Sequence, residues 1–141
     1  MAAELKVGFT GTRKGMTGSQ YMSVKRLLHD LQPTDAYHGG CTGADTDFHI
    51  LSLACGIAPE IFPSNIPSTY GFWKGAKAIH SPNKPLVRNR IIVHMSDVLI
   101  ATPKGSREEL RSGTWATIRY MRRRGKLIYI VFPDGVVRIE E

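Results

Sequence analysis

The chain has 141 residues, of which 42% are hydrophobic and 22% charged, a composition that favours a single folded domain over 1–141 and argues against extensive disorder. No apolar run approaches the ~18 residues of a membrane span, and the N-terminal segment lacks the apolar stretch of a signal peptide, so we expect a cytoplasmic protein with no membrane partner. The net charge of +7 favours an anionic partner, such as a nucleotide, a phosphate or nucleic acid, or reflects only a basic surface.

In the first half of the sequence, short apolar runs alternate with helical patterns. The apolar runs predict strands at 5–10, 36–38 and 60–62. Thr17 and Gln20 have the spacing of a capping box, so we expect a helix to begin there and to end before Pro33. Apolar residues at helical spacing predict a second helix over 44–55.

The second half opens with a segment, 64–84, in which Pro and Gly recur and which we expect to be irregular. Further apolar runs predict strands at 97–102 and 127–132 and an edge strand at 136–139. Helical spacing predicts helices over 86–95 and from Gly113 onward, and the capping-box spacing of Ser106 and Glu109 predicts one helical turn. The alternation predicts a doubly wound, mainly parallel α/β sheet with helices on both faces.

Glycine-rich loops follow three of the predicted strands. Ligands of parallel sheets bind beyond the carboxyl ends of the strands, which directs attention to the loops at 8–15, 39–45 and 103–114. In the first loop, glycines allow close approach of the backbone, and Arg13 and Lys14 bring positive charge suited to a phosphate. The loop lacks both the Gly-Lys-Ser/Thr ending of a P-loop and the full spacing of a dinucleotide-binding motif.

Three residues near predicted helix starts each have two interpretations. Asp45 either complements the dipole of its helix or accepts hydrogen bonds from ribose hydroxyls. Arg88 stands at the positive end of a helix, a conflict that a bound anion would resolve, unless the guanidinium is solvated or paired with a distant carboxylate. Thr114 either caps the last helix or donates to a phosphate oxygen, and these two roles are compatible.

Other aromatic and reactive residues favour structural roles. We expect Tyr70, Phe72 and Trp73 to pack, either over the sheet edge or in a subunit interface, with base stacking as the alternative. The basic run over 119–126 lies at a helix end, and we expect it to be solvated rather than a nucleic-acid patch. Cys41 and Cys55 are expected to be buried, with a nucleophilic Cys41 as the less favoured alternative. The five histidines lack metal-ligand spacing, so neither a metal nor a cofactor is expected.

Taken together, the loops resemble those of the SLOG superfamily, a Rossmann-like group that includes LOG-type nucleotide phosphoribohydrolases, the Rossmann domain of the DprA recombination mediator and nucleotide-sensing domains. The resemblance covers about 6–131 and is carried by 11–13, 39–45, 88–89 and 112–114. The Gly-Ala-Asp and Arg-Asn pairs look most like the small stand-alone members related to YpsA and YspA. The resemblance implies a Rossmann-like fold, a nucleotide-derived ligand over these loops and self-association into a homo-oligomer.

We therefore predict that a phosphorylated nucleotide or an ADP-ribose-like molecule is bound or sensed at the carboxyl rim of the sheet. The predicted ligand-binding residues are Gly11, Thr12, Arg13, Gly39, Gly40, Gly43, Asp45, Arg88, Asn89, Ser112, Gly113 and Thr114. Arg13, Arg88 and backbone N–H groups near Gly40, Gly43 and Gly113 would hold phosphate.

Two alternative functions remain open. The first is hydrolysis or transfer at the N-glycosidic bond of a nucleoside monophosphate, for which the LOG branch of the family uses a glutamate. The resemblance places Thr117 at the position of that glutamate, so this chemistry would need Asp45 or Glu109 as the catalytic carboxylate. The second is binding of single-stranded nucleic acid, which the resemblance to DprA implies and which would depend steeply on salt.

Overall fold

A sheet flanked by helices is the main feature of the computed structural model, which describes residues 3–141. In chain order the elements are β1 (Lys6–Gly11), α1 (Gly18–Leu31), β2 (Asp35–His38), α2 (Ala44–Ala54), β3 (Glu60–Ile61), a 3-10 turn (Pro67–Thr69), β4 (Ala78–Ile79), α3 (Pro85–Met95), β5 (Val98–Thr102), α4 (Gly113–Arg123), β6 (Leu127–Val131) and β7 (Val137–Glu140). Over the described residues, no helix combines the length and the apolar character that crossing a membrane requires.

Within residues 3–141 the sheet has seven strands, in the order β4-β3-β2-β1-β5-β6-β7. Neighbouring strands run parallel, except for β6 and β7, which are antiparallel. From β1 the chain builds outward through β2 and β3 to β4, and it then returns to the other side of β1 with β5. The predicted doubly wound, mainly parallel α/β sheet is therefore confirmed, and β7 is the predicted edge strand.

Helices cover both faces of the sheet because the side chains of each strand alternate between the faces. Ile100 of β5 belongs to a buried cluster with Val24 of α1 and Phe48 of α2. The preceding residue, Leu99, belongs to a second buried cluster with residues of α3 and α4, among them Trp115. Burial on both faces explains why β5 is apolar along nearly its whole length.

Helix α1 begins at the predicted capping box. The Thr17 hydroxyl accepts a hydrogen bond from the Gln20 N–H (3.0 Å), and the Gln20 side chain accepts one from the Thr17 N–H (2.9 Å). The buried Gln20 amide also donates to the carbonyls of Pro103 (2.8 Å) and Val131 (2.9 Å). The cap therefore ties α1 to the chain at the ends of β5 and β6. The helix ends before Pro33, as predicted.

Two local predictions differ from the structure. The segment 64–84, expected to be irregular, contains β4, which has only two residues and pairs in parallel with β3. Ser106 and Glu109 do not form a helical turn. Instead, Arg119 of α4 donates to the carbonyls of Glu109 (3.3 Å) and Leu110 (3.0 Å), so tertiary hydrogen bonds hold the end of this segment.

Replacing Thr17 by Ala removes the hydroxyl that caps α1 and that also donates to the Pro133 carbonyl (2.6 Å). We expect the free energy of unfolding to fall by about 1–2 kcal/mol, the usual cost of a lost N-cap, as measured by urea denaturation. Thr17→Ser keeps the hydroxyl and should unfold close to the parent protein. Equal midpoints for Thr17→Ala and the parent would show that the cap contributes nothing.

Candidate functional site

A cleft of about 710 Å³ opens at the carboxyl ends of β1 and β5. The strand order turns at this point, since β2 lies on one side of β1 and β5 on the other. The helices that follow the two strands, α1 and α4, pack on opposite faces of the sheet, and a crevice opens between the connecting loops. Its volume suits a nucleotide-sized molecule, because small-molecule pockets span about 300–1,000 Å³.

The structure brings most of the predicted ligand-binding residues to this cleft. Its walls include Gly11, Thr12, Arg13, Gly39, Asp45, Arg88, Asn89, Ser112, Gly113 and Thr114. Gly40 and Gly43 do not line it, whereas the carboxylate candidate Glu109 does. Lys104 and Arg111 also line the cleft and were not predicted to do so. Both residues belong to the third glycine loop, and this position is the feature of the sequence that could have indicated their place at the cleft.

The loop after β1 is held against the start of α2. The Thr12 carbonyl accepts a hydrogen bond from the Ala44 N–H (3.0 Å), and the Thr12 N–H donates to the Thr102 carbonyl (3.1 Å). Gly43 adopts a φ of +82°, and a Cβ there would clash with the Arg13 backbone. The second loop thus packs directly on the backbone of the first, while the Arg13 side chain is exposed at the cleft wall.

Arg88 of α3 holds the loop after β2. Only 5% of this residue is exposed, and its Nη1 donates to the carbonyls of Gly39 (2.8 Å) and Phe62 (3.3 Å). The guanidinium nitrogens also lie 3.9 and 3.8 Å from the Cys41 sulfur. The solvated alternative for Arg88 is therefore wrong, because backbone carbonyls take up its hydrogen bonds. Its Nε, also buried, has no hydrogen-bond partner within residues 3–141.

Asp45 is buried in the first turn of α2 and accepts a hydrogen bond from the Cys41 N–H (3.1 Å). Burial raises the pKa of the Asp45 carboxyl, and the nearby Arg88 guanidinium opposes that increase. Burial also raises the pKa of the Cys41 thiol, which argues against the nucleophilic alternative because the thiolate is the reactive form. The expected burial of Cys55 is wrong, since α2 ends one residue earlier and leaves this side chain exposed.

The loop after β5 leads into the N-terminus of α4. Ser112 is the N-cap, and its hydroxyl accepts a hydrogen bond from the Trp115 N–H (3.3 Å). Thr114 is therefore not the cap; it is buried in the first turn, where it lines the cleft with Gly113. The first N–H groups of a helix have no intrahelical acceptor. One turn further on, the Thr117 hydroxyl donates to the Gly113 carbonyl (3.0 Å).

Basic side chains of α4, and Lys126 just after it, bind neighbouring segments of the chain. Arg119 and Arg122 form ion pairs with Glu108 at 3.0 and 2.9 Å, and their hydrogen bonds lower the pKa of the Glu108 carboxyl. The Lys126 ammonium donates to the Ser96 carbonyl (2.8 Å). The expected solvated helix end is therefore wrong for these three cations, which hold neighbouring segments in place.

The aromatic residues of 70–73 support the second glycine loop from outside the cleft. The Trp73 indole N–H donates to the Gly40 carbonyl (2.7 Å), and the ring centroids of Tyr70 and Trp73 lie 4.5 Å apart. The Tyr70 hydroxyl donates to the Ser64 carbonyl (2.6 Å). These contacts agree with the packing interpretation for Tyr70 and Trp73, while Phe72 is 42% exposed.

Two buried histidines, His38 and His49, form a chain of hydrogen bonds that begins at the second glycine loop. The Gly40 N–H donates to His38 Nδ1 (2.9 Å), so His38 Nε2 carries the hydrogen that is donated to His49 Nδ1 (2.8 Å). His49 Nε2 in turn donates to the Lys74 carbonyl (2.8 Å). Burial, followed by the proximity of His49 and Arg88, lowers the pKa of His38 to about 3, so the His38 ring is neutral in this chain of hydrogen bonds.

Solved structures with a similar fold include the structural genomics protein TM1055, with 14% identity and a TM-score of 0.64; the match covers 88% of this chain and 72% of that one. A molybdenum cofactor binding protein from the phototrophic bacterium Rippkaea orientalis has 17% identity and a TM-score of 0.71, with 94% and 78% covered. DprA from Streptococcus pneumoniae has 21% identity and a TM-score of 0.67, with 90% and 50% covered. No protein-family model and no curated protein sequence gives a significant match.

These likenesses define the class of fold. DprA is one of the proteins on which the resemblance in the loops is based, and its structure superposes on 90% of this chain. The chain therefore has the Rossmann-like fold that the resemblance predicts. At identities of 14–21% the likeness concerns the fold alone, and the chain spans half the length of the DprA chain.

A substitution at Gly43 tests how closely the loops after β1 and β2 pack against each other. An added methyl group would meet the Arg13 carbonyl, and a strained φ by itself costs of order 1–3 kcal/mol, so we expect Gly43→Ala to lower the free energy of unfolding by about 2 kcal/mol or more. The measurement is urea denaturation. Gly113→Ala is the matched control, because nothing lies within 4 Å of the added Cβ. Equal stability of the two variants would contradict the close packing.

The histidine chain predicts a pH effect on stability. The unfolded chain protonates His38 near the ordinary pKa of 6.5, whereas the folded protein does so only near 3. The contribution of the neutral ring is therefore present above pH 6.5 and is lost as the pH falls from there toward 3.

Ring ¹⁵N NMR measures this state directly, with the exposed His29 as an internal reference signal. We expect His38 to remain in the neutral Nε2–H form down to about pH 4, since only the loss of the fold would release it. A protonated His38 signal in folded protein at about pH 5 would contradict the hydrogen-bond chain.

Proposed function

We propose that the cleft binds a phosphorylated nucleotide or an ADP-ribose-like molecule. The observation that carries this proposal is the convergence of three glycine loops, after β1, β2 and β5, on one cleft at the point where the strand order turns. Crevices of this kind are where open α/β sheets bind their ligands. The loops contribute backbone groups from glycines together with charged and polar side chains.

The charges around the cleft favour an anionic ligand. Arg13 and Arg111 are exposed on its walls and form no ion pair within residues 3–141, whereas Lys104 pairs with Glu109 at 3.4 Å. The N-terminus of α4 at Gly113 adds a partial positive charge and N–H donors. A phosphate group is the ligand chemistry that uses both the free guanidinium groups and the helix N-terminus.

Other parts of the same cleft suit a sugar and a base. The side chains of Thr12, Asn89 and Thr114 line it and offer donors and acceptors for ribose hydroxyls. Leu86, which is 61% exposed, contributes apolar surface, against which a base can pack. A ligand with phosphate, ribose and base therefore has a partner for each of its parts.

Binding without hydrolysis is the function that this geometry supports best. The family position of the catalytic glutamate is Thr117, which does not line the cleft and whose hydroxyl is directed to a backbone carbonyl. Among the described residues, the carboxylates on the cleft wall are Asp45 and Glu109. Asp45 is buried and accepts the Cys41 N–H, and Glu109 pairs with Lys104 through Oε1, while Glu109 Oε2 has no hydrogen-bond partner within residues 3–141. The preference for binding over hydrolysis therefore rests on Thr117.

The descriptions of two structural neighbours support a ligand or nucleic-acid partner for this fold. One neighbour is described as binding a molybdenum cofactor, and another as a DNA processing protein. We place nucleic acid second, because no feature of the cleft requires a strand longer than one nucleotide. A cytoplasmic location, a homo-oligomeric state and a single domain over 1–141 stay predictions.

Isothermal titration calorimetry with AMP and with ADP-ribose tests the proposal. We expect at least one of the two to bind, and Arg13→Ala to weaken that binding by about 1.5–3 kcal/mol, the value of a charged hydrogen bond. Arg26→Ala is the control, since Arg26 is exposed on α1 and lies outside the cleft. The absence of binding by both ligands, or equal losses in the two variants, contradicts the proposal.

A second assay separates binding from hydrolysis. After incubation of the protein with AMP, we expect chromatography to recover the nucleotide intact, because Thr117 stands at the position that the resemblance assigns to the catalytic glutamate. Release of adenine would instead establish the N-glycosidic alternative. A single-stranded oligonucleotide that binds tightly and is not displaced by AMP would establish the nucleic-acid alternative.

A further inference from the structure

A second pocket, of about 180 Å³, lies between α3 and α4. Leu86 and Asn89 of α3 line both this pocket and the main cleft, so the two spaces are neighbours along one helix. On the α4 side the lining includes Ala116, Tyr120 and Arg123, which recur at helical spacing and therefore share a face. A ligand that leaves the main cleft along α3 enters this pocket.

Two arginines from different helices meet at the ring of Tyr120. The guanidinium carbon of Arg90, on α3, lies 5.1 Å from the ring centroid, and that of Arg123, on α4, lies 5.6 Å from it. The Tyr120 hydroxyl is hydrogen-bonded to His94 Nε2 (2.7 Å), which fixes the ring. Cation–π contacts of this kind hold both positive charges at the pocket.

The charges of these two guanidinium groups are not paired within the part of the chain that the structure describes. Neither Arg90 nor Arg123 forms an ion pair within residues 3–141. A third arginine of the pocket, Arg119, already shares Glu108 with Arg122. Two like charges therefore border one small pocket, and a bound anion would offset their repulsion.

We infer that this arginine pocket, formed by Arg90, Tyr120 and Arg123, holds a second anionic group of the ligand that occupies the main cleft. The inference rests on the proposed function and narrows the ligand to a nucleotide with two separated phosphate groups. Guanidinium groups suit phosphate because they donate two parallel hydrogen bonds to its oxygens. A small bisphosphorylated nucleotide and the backbone of a short oligonucleotide both have this chemistry.

Calorimetry with a matched pair of variants tests the inference. The probes are AMP, adenosine 3′,5′-bisphosphate and a single-stranded tetranucleotide. We expect Arg123→Gln to weaken binding of the bisphosphate about tenfold and that of AMP less than about twofold, since AMP has no second phosphate to lose contact. Arg124→Gln removes the same charge from the next residue, which is exposed and does not line the pocket, and should affect neither ligand selectively. Thermal unfolding verifies that each variant is folded.

The outcomes distinguish this inference from the proposed function. If the parent binds AMP but Arg123→Gln weakens AMP and the bisphosphate by the same factor, or weakens neither, the second anion site is wrong and the proposed function stands. If the parent binds none of these probes, the second anion site is wrong, and if it does not bind ADP-ribose either, the proposed function is wrong as well. If Arg123→Gln weakens binding of the bisphosphate but not of AMP, the inference is supported, and the second phosphate belongs to a small molecule. Tighter binding of the tetranucleotide, with the same dependence on Arg123, supports it with nucleic acid as the source.

Discussion

The turn in strand order at β1 is the constraint on which the rest of the site depends. In a parallel sheet the carboxyl ends of the strands meet at one edge. Strand β1 lies between β2 and β5, and the helices that follow β1 and β5 pack on opposite faces of the sheet. Loops that are distant in sequence, at 8–15, 39–45 and 103–114, therefore come together around one cleft. Each loop alone is an ordinary glycine turn, and the topology makes them into one site.

Buried side chains keep these loops in position and leave the exposed ones free for a ligand. Arg88 and Trp73 donate to the carbonyls of Gly39 and Gly40, so the second loop is fixed from two sides. Glycines allow the close approach that these bonds require. By contrast, Arg13 is exposed and unpaired at the cleft wall. The positive charge available to an anion is thus separate from the positive charge that stabilises the fold.

Features that depend on residues close together in the sequence were predicted, whereas contacts between distant residues were not. The capping box at Thr17 depends on residues three apart, and it forms as predicted. The architecture follows from alternating patterns, and the position of the loops follows from the general rule for parallel sheets. The partners of Arg88 lie up to 49 residues away along the chain. The position of Arg88 at a helix start therefore predicts that the residue needs a partner, but it does not predict which groups accept its hydrogen bonds. The strand β4, with two residues, is too short for a periodic pattern.

The helical turn predicted at Ser106 also rests on a local signal, the spacing of Ser106 and Glu109, and it does not form. At the end of this segment the carbonyls of Glu109 and Leu110 accept hydrogen bonds from Arg119 of a later helix. The cleft-lining residues that were not predicted in this loop, Lys104 and Arg111, are basic residues beside glycine or serine, a pattern too common to single them out. Their relevance depends on a cleft wall that only the folded chain creates.

Amide NMR during a titration with AMP tests most directly whether the three loops form one ligand site. The amides of Gly11, Gly39 and Gly113 report on the loops after β1, β2 and β5, one each. We predict that all three shift during the titration and yield one common dissociation constant. Shifts confined to a single loop, or different constants for different loops, would contradict a shared site.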